Sequence, residues 1–335
     1  MTIVFSDKFN EHVITPDHPE SPRRLEAIYD SLTKAGLWKN VLTPKDATMK
    51  ELEAVHTLDY LSFLDKFGER ALSIDTLVHK ETFSIARLAA GGGIMAAEAA
   101  WKKEKPAIAL VRPPGHHAGP QFGGGFCYLN NIAIAAKQVL HTAKKVAIVD
   151  IDVHHGNGTQ QIFHHDPQVL YISTHQRYIY PGTGDPDDFG IGEGKGFTVN
   201  VPMMSGAGDS SFDFAYDKIV LPILSEYRPE MLLVSIGTDA HYRDPLASLT
   251  LSSNGFAREV SSLLDFAKRN CNNRIAFFLE GGYDLESLSE IITHTVGLFN
   301  GKNTPLKNVA IADAGCQELE SLKSIVQMQK IYWKL

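Results

Sequence analysis

The chain has 335 residues, of which 44% are hydrophobic and 21% charged, enough for one large α/β domain or two ordinary ones. Its formal net charge of −7 argues against direct nucleic-acid binding, which needs a basic surface, and is compatible with a cationic partner or substrate. Three cysteines without a CxxC pair, no signal-peptide pattern and no apolar run of about 18 residues predict a cytoplasmic protein without a membrane span.

Two helix-like segments come first along the chain, over residues 21–37 and 79–103. The second contains three glycines, 91–93, which either pack closely against a neighbour or divide the helix in two. Further along, apolar strand-like runs alternate with helical patterns. We predict strands over 106–111, 145–151, 169–174, 197–201, 231–237 and 274–279, and helices over 129–143, 210–227, 255–270 and 285–300.

The strand-like runs are mostly continuous rather than alternating, which is typical of parallel strands buried on both faces. Their alternation with helices favours one doubly wound parallel α/β sheet. Since no repeat, linker or domain boundary is visible, we expect a single domain over residues 1–335. Ligands of such sheets bind at the carboxyl ends of the strands, and the main motifs of this chain follow predicted strands.

The stretch VDIDVHHGNG, residues 149–158, places ionisable groups at the end of a predicted strand. Because strand side chains alternate, we expect Asp150, Asp152 and His154 to point to the same side. Burying them together without a counter-charge would be very costly, and a metal cation removes that cost. A salt-bridged strand end is the alternative. The nearest basic residues, 144 and 145, lie at the opposite end of the strand, so we favour a metal.

Asp239, in SIGTDAHYRDP, also follows a buried strand and is the candidate for a third metal ligand. A turn or capping aspartate is the alternative at such a position. Together with Asp152 and His154 it would leave one coordination position open, as a catalytic metal requires. The oxygen-rich ligand set suits Fe(II) or Mn(II) as well as zinc.

The loop RPPGHHAGP brings two adjacent histidines, His116 and His117, to the end of another predicted strand. Beside a metal-bound water, one of them could accept the proton of the water and return it to a leaving amine. Asp150 and Asn157 are the natural groups to orient the pair.

Two further stretches are rich in glycine. FGGGFCYLNN, residues 122–131, lacks the GK[ST] of a phosphate-binding loop, so we reject nucleotide binding. Phe126 within it either lines an apolar slot or simply packs. Tyr283, in FFLEGGYDLES, either packs or, beside a metal, donates its hydroxyl to an oxyanion.

The joint occurrence of RPPGHH, GFCYLNN, DIDVHHGNGTQ, PGTGD, DAHxxDPL and LEGGY makes the sequence resemble the histone deacetylase and acetylpolyamine amidohydrolase superfamily. The resemblance runs from about residue 18 to residue 284, and Asn157 within HHGNG is similar to the class II branch and its bacterial and archaeal relatives. It implies an arginase-like fold, with a central parallel sheet of about eight strands and helices on both faces. The whole chain would be one catalytic domain.

The resemblance also implies roles for individual residues. Zinc, or else Fe²⁺, would be held by Asp152, His154 and Asp239; His117 would be the general base and acid, His116 with Asp150 would assist electrostatically, and Tyr283 would donate to the acyl oxygen. The acyl-lysine tunnel would be lined by Gly125, Phe126 and Leu246, with Tyr180 where many relatives place a second tunnel phenylalanine. A structural potassium site would use Asp150, Asp152, His154, Ser173 and Thr174. The sequence IGTDAH departs from the usual AGFDAH, so the wall beside Asp239 differs.

The implied activity is removal of acetyl or other acyl groups from the ε-amine of lysine in proteins or peptides. An acetylated small amine such as an acetylpolyamine is the alternative substrate, although Leu246 stands where one polyamine-specific branch has a glutamate. A two-metal ureohydrolase is less favoured because Gly156 and His241 replace two ligand aspartates. A non-catalytic acyl-lysine binder is less favoured still, since the chain keeps the ligands and the tyrosine. A homo-oligomer is compatible with the sequence.

Overall fold

The computed structural model describes residues 1–66, 70–307 and 316–335. Its centre is an eight-stranded sheet in which every pair of neighbouring strands is parallel. The strands are β1 (Thr2–Val4), β2 (Val41–Leu42), β5 (Ala107–Ala109), β6 (Val146–Asp150), β7 (Val169–Gln176), β8 (Thr198–Met203), β9 (Met231–Ile236) and β10 (Ile275–Leu279). Their order across the sheet is β2-β1-β5-β10-β9-β6-β7-β8. A separate antiparallel hairpin joins β3 (Arg70–Ser73) to β4 (Thr76–Val78).

Helices surround the sheet, so the predicted parallel α/β fold with about eight strands is confirmed. They are α1 (Arg23–Lys34), α2 (Met49–Glu53), α3 (Leu58–Lys66), α4 (Thr82–Lys103), α5 (Asn131–Val139), α6 (Asn157–Phe163), α7 (Asp209–Ala215), α8 (Leu221–Tyr227), α9 (Ser253–Asn270), α10 (Leu285–Leu298) and α11 (Cys316–Gln329). The predicted helix over 210–227 is interrupted by a π-helical turn over Tyr216–Val220, between α7 and α8. No helix in the described ranges is long and apolar enough to cross a membrane.

The central strands are buried along their whole length, as their continuous apolar sequences predict. Every residue of β6, β9 and β10 is buried. Strand β6 ends at Asp150, one residue before the predicted end at 151, so Asp152 and His154 lie on the loop that follows rather than on the strand.

The glycine cluster of α4 allows close packing and does not break the helix, which runs without interruption. A Cβ on Gly91 would lie 1.8 Å from the backbone oxygen of Lys45. One on Gly93 would lie 2.9 Å from the ring of Phe278 in β10. Glycine is therefore required where this long helix meets its neighbours.

Four adjacent strands, β5, β10, β9 and β6, occupy the middle of the sheet. Because they are parallel, the loops that follow them emerge at the same edge. These loops carry the histidine pair, the LEGGY tyrosine, the Asp239 motif and the DVHHGNG motif. The topology thus brings together four motifs that are widely separated in the sequence.

Candidate active site

Asp152, His154 and Asp239 meet at the carboxyl edge of the sheet. His154 Nδ1 lies 3.1 Å from Asp152 Oδ1 and 3.1 Å from Asp239 Oδ2. One potential ligand atom from each residue lies within 4.8 Å of the others. Backbone amides hold the carboxylates in place, since Gly281 donates to Asp152 Oδ2 at 2.7 Å and Val153 donates to Asp239 Oδ1 at 3.0 Å.

The electrostatics of this cluster fit a bound cation. Burial and the negative charge of Asp152 raise the pKa of Asp239. Burial alone would lower the pKa of His154, but hydrogen bonds to both carboxylates outweigh it and raise that pKa to about 10. The two carboxylates thus stabilise a proton on His154. A divalent cation bound by the three side chains could take the place of that proton. Gly281 leaves room beside them, because a Cβ there would lie 2.2 Å from Asp239 Oδ2.

The two adjacent histidines lie beside the cluster and have different partners. His116 Nδ1 lies 3.1 Å from Asp150 Oδ2, whereas His117 Nδ1 lies 2.8 Å from Asn157 Oδ1. Burial would lower the pKa of His116, but the Asp152 and Asp150 carboxylates outweigh it and raise it to about 10. Burial and the neighbouring His116 charge hold the pKa of His117 well below its usual range. The surroundings of the two imidazoles therefore shift their pKa values in opposite directions.

Two polar residues that the sequence analysis missed support these histidines. Tyr171, on β7, donates its hydroxyl to Asp150 Oδ2 at 3.1 Å. Glu280, at the end of β10, accepts through Oε2 from the backbone N–H groups of Gly115 at 2.7 Å and His116 at 3.1 Å. Burial, partly opposed by the positive charge of His116, raises the pKa of Glu280 to about 7.

A second group of potential ligands, His116, Cys127 and Glu280, also lies within 4.8 Å. His116 Nδ1 is paired with Asp150, which lies outside this group, and burial raises the pKa of the Cys127 thiol well above its usual range. Because a cysteine binds metal as the thiolate, this group is a poorer metal site than the first.

Tyr283 lines a cavity together with His117 and His154. Burial, partly opposed by the Arg24 charge, raises the pKa of its hydroxyl, which remains a proton donor. Its backbone N–H donates to Asp244 Oδ2 at 2.7 Å. The guanidinium of Arg24 lies 5.1 Å from the centre of its ring. Arg24 also donates to the carbonyl oxygens of Gly282 at 2.8 Å and Glu280 at 2.5 Å. These hydrogen bonds fix the backbone of the LEGGY loop on either side of Gly281.

Arg24 is part of a buried ion cluster with Glu20 and Arg112. All three side chains are fully buried. Arg24 Nη1 lies 3.2 Å from Glu20 Oε1, and Arg112 Nη2 donates to Glu20 Oε2 at 2.7 Å. Arg112 also bonds the backbone oxygens of Phe9 and His12, which ties the N-terminal segment to the loop that carries the histidine pair.

A cavity of about 220 Å³ adjoins His154, Tyr283 and the two adjacent histidines. It is lined by Asp75, Pro114, His116, His117, Gly125, Phe126, His154, Tyr180, Leu246, Gly281 and Tyr283. All four residues predicted to form a tunnel are therefore in its wall. The rings of Phe126 and Tyr283 are 5.8 Å apart and those of Tyr180 and His117 are 4.9 Å apart. Gly125 has φ +52°, and a Cβ there would lie 2.4 Å from His117 Cδ2.

Of the residues predicted to bind potassium, Asp152 and His154 belong to the cluster with Asp239, and the other three lie on the adjacent strands β6 and β7. Ser173 is the register partner of Asp150 across the β6–β7 pair. Its hydroxyl is 2.9 Å from His175 Nδ1. The hydroxyl of Thr174 is buried and has no hydrogen-bond partner in the described part of the chain.

Comparisons with known proteins agree with this geometry. A sequence model of the histone deacetylase domain matches residues 18–299. A probable deacetylase of Archaeoglobus fulgidus is 41% identical over 292 residues, which cover 85% of this chain and 81% of the relative. A histone deacetylase-like amidohydrolase of Pseudomonas aeruginosa is 35% identical over 324 residues, covering 91% of this chain and 85% of the relative. The crystal structure of the HDA15 HD domain superposes with a TM-score of 0.91 and 35% identity, covering 99% of this chain and 97% of that one.

A deep cavity over a carboxylate and histidine cluster, on a parallel α/β sheet with these relatives, defines a hydrolase that acts on amide bonds. The chain belongs to the histone deacetylase family.

Proposed function

We propose that this protein is a zinc-dependent amidohydrolase that removes acetyl groups from the ε-amine of lysine in peptides or proteins. The observation that carries the proposal is the convergence of Asp152, His154 and Asp239 beside a cavity whose wall contains both His154 and His117. These three residues would hold the metal. When bound there, zinc would polarise the acyl carbonyl and lower the pKa of a water molecule to about 7.

His117 is the proposed general base. Its Nδ1 lies against the oxygen of Asn157, so Nδ1 carries the proton and Nε2 is left with a free lone pair. Nε2 can therefore accept a proton from the attacking water and then deliver it to the leaving amine. Asn157 acts by fixing the tautomer and the ring orientation.

His116 and Tyr283 have complementary proposed roles. His116, protonated and held by Asp150, contributes positive charge next to the reacting atoms. Tyr283 keeps its proton and donates a hydrogen bond to the oxygen of the acyl group as negative charge develops there. Phe126 and Tyr180 present aromatic surface to the alkyl stem of the substrate, and the half-exposed Leu246 forms part of the apolar mouth.

An acetylated small amine is the second candidate substrate, and one observation favours it. Asp75, on the turn of the β3–β4 hairpin, lines the cavity. Its Oδ1 accepts from the hydroxyls of Ser73 at 2.5 Å and Thr76 at 2.9 Å. A carboxylate at this place could attract a second ammonium group and so replace the acid that is missing at Leu246.

The test compares kcat/KM of the zinc-loaded enzyme on an acetyl-lysine peptide and on acetylputrescine. We expect a preference for the peptide. A preference for acetylputrescine that is lost in Asp75→Asn would overturn the lysine proposal in favour of the small amine. One zinc per chain is expected, and two would favour a ureohydrolase. Tight acyl-lysine binding without turnover would indicate a non-catalytic binder.

We also propose that the chain forms one domain, works in the cytoplasm and binds potassium near Asp150. The unpaired buried hydroxyl of Thr174 and the adjacency of Ser173 to Asp150 support the potassium site. Exchange of potassium for tetramethylammonium, which is too large for such a site, should lower activity if the proposal is right.

A further inference from the structure

A second cavity, of about 810 Å³, lies on another part of the molecule and shares no lining residue with the active-site cavity. It is formed by α7, the π-helical turn, α9, α10 and the loop near Thr304. Its wall is lined by Asp213, Tyr216, Asp217, Asn254, Ala257, Arg258, Glu259, Ser261, Ser262, Asp265, His294, Asn303, Thr304 and Leu306. Its volume is within the range of small-molecule sites.

Glu259 is an unusual residue for its position. It is 3% exposed and lies on the buried face of α9, between Phe256 and Leu263, where helix periodicity calls for an apolar side chain. Neither of its carboxylate oxygens has a hydrogen-bond partner among the residues that the structure describes. A buried, unpaired carboxylate is destabilising, and burial together with Asp209 and Asp213 raises its pKa well above the usual range. The fold alone gives no reason for it.

Tyr216 is a second unpaired polar group in the same wall. Its hydroxyl is buried and has no partner within the described ranges. It lies on the π-helical turn, a rare distortion that is frequent at functional sites. The Glu259 carboxylate is close enough to raise the pKa of this hydroxyl. The two unpaired groups therefore lie near each other in the wall.

The charge of the wall identifies the kind of ligand. Four acids line the cavity against one arginine, and Arg258 is engaged by Asp213 at 2.8 Å and Asp209 at 3.1 Å. Asp217, Glu259 and Asp265 make no ion pair in the described part of the structure. A ligand bound by these acids would therefore be a cation.

The geometry disfavours a metal ion. Within residues 1–66, 70–307 and 316–335, no three carboxylate, imidazole or thiol ligands of this cavity lie within 4.8 Å of one another. The cavity is also far larger than one ion needs. Ammonium groups spaced along an alkyl chain match acids that are spread over a wide wall.

We propose that this cavity is a separate binding site for an alkyl polyammonium ion, with one ammonium held by Glu259 and the others by Asp217 and Asp265. The first ammonium also donates to the hydroxyl of Tyr216. The inference does not depend on the reaction at the active site.

The test is calorimetric titration with spermidine at constant ionic strength, on the full chain. Wild-type protein should bind one spermidine saturably, and Glu259→Gln should weaken binding about tenfold or more, as expected for loss of a charged hydrogen bond. Asp46→Asn, an exposed acid outside the cavity, should leave binding unchanged. Without ligand, Glu259→Gln should melt at the same or a higher temperature, because it removes an unpaired buried acid.

Three results would overturn the proposal. The first is no saturable spermidine binding to wild-type protein. The second is binding that Asp75→Asn weakens and Glu259→Gln does not, which places spermidine at the active-site mouth. The third is Glu259-dependent binding of Mg²⁺ or K⁺ in place of spermidine. If Glu259→Gln does not fold, Asp265→Asn, on the exposed edge, gives the same comparison and should weaken binding several-fold.

Discussion

Replacing Glu20 by glutamine tests the buried ion cluster described above. The change keeps the shape of the side chain but leaves the guanidiniums of Arg24 and Arg112 without their counter-charge, in a place where all three side chains are fully buried. Breaking a buried pair in this way costs about 3–5 kcal/mol of unfolding free energy. For 335 residues the entropy of unfolding near 60 °C is about 0.7 kcal/mol/K, so the melting temperature should fall by about 4–7 °C.

The loss should depend on pH with a definite sign. Burial raises the pKa of Glu20, but Arg112 and Arg24 outweigh it and hold the pKa at about 2, below the ordinary 4.5. Because the folded pKa is the lower one, the carboxylate stabilises the fold fully above pH 4.5 and loses that effect as the pH falls towards 2. The difference between wild type and Glu20→Gln should thus be constant from pH 8 to about 5 and shrink below that.

Urea unfolding at several pH values measures this difference directly. Glu98→Gln is the matched control, since Glu98 pairs with Lys102 on the surface, where its side chain is 50% exposed. Such an exposed pair is worth about 0.3–0.5 kcal/mol. The reasoning would be refuted if Glu20→Gln were no more destabilising than Glu98→Gln, or if its effect persisted unchanged at pH 2.5.

Three further predictions concern catalysis and packing. Tyr283→Phe should lower kcat about 10²–10³-fold without lowering the melting temperature, and near-normal turnover would remove Tyr283 from the mechanism. Dialysis against a chelator should abolish hydrolysis and one equivalent of zinc per chain should restore it; full activity of metal-free protein, checked by elemental analysis, would contradict the metal proposal. Gly91→Ala should destabilise the protein by about 1–3 kcal/mol, because the new Cβ would lie 1.8 Å from the Lys45 backbone oxygen. Helix propensity alone predicts a gain of about 1 kcal/mol, so the sign of the change in urea midpoint decides between the two effects.

The strands that the sequence predicts best are those with long continuous apolar runs, such as β9 and β10, whose burial on both faces leaves a plain signal. Strands β1 and β2 have only three and two residues and were missed, because so short a run has no readable periodicity. The short helix α6 was also missed, since its first residues belong to the glycine-containing HHGNG motif.

The site was predictable where chemistry is concentrated in one stretch, as in the histidine pair. Arg24 and Tyr171 were missed for physical reasons. Arg24 is part of the amphipathic helix α1, in which an arginine is typical of the solvent face, yet it is fully buried. Tyr171 lies within an apolar strand, where an aromatic residue is typical of simple packing. Glu280 did have a signal, a carboxylate at the end of an otherwise apolar strand.

The order of strands in the sheet has a consequence for how the protein acquires its activity. Gly115 and Glu280, which are bonded to each other at the edge of the site, are 165 residues apart in the chain, and Asp152 and Gly281 are 129 apart. Contacts of such long range form slowly, because large loops must close before any of them stabilises the chain. The cluster of Asp152, His154 and Asp239 therefore forms only after strands β6 and β9 have come together, and its hydrogen bond from Gly281 also requires β10. The proposed metal would therefore bind at the last stage of folding, and a partly folded chain would be inactive.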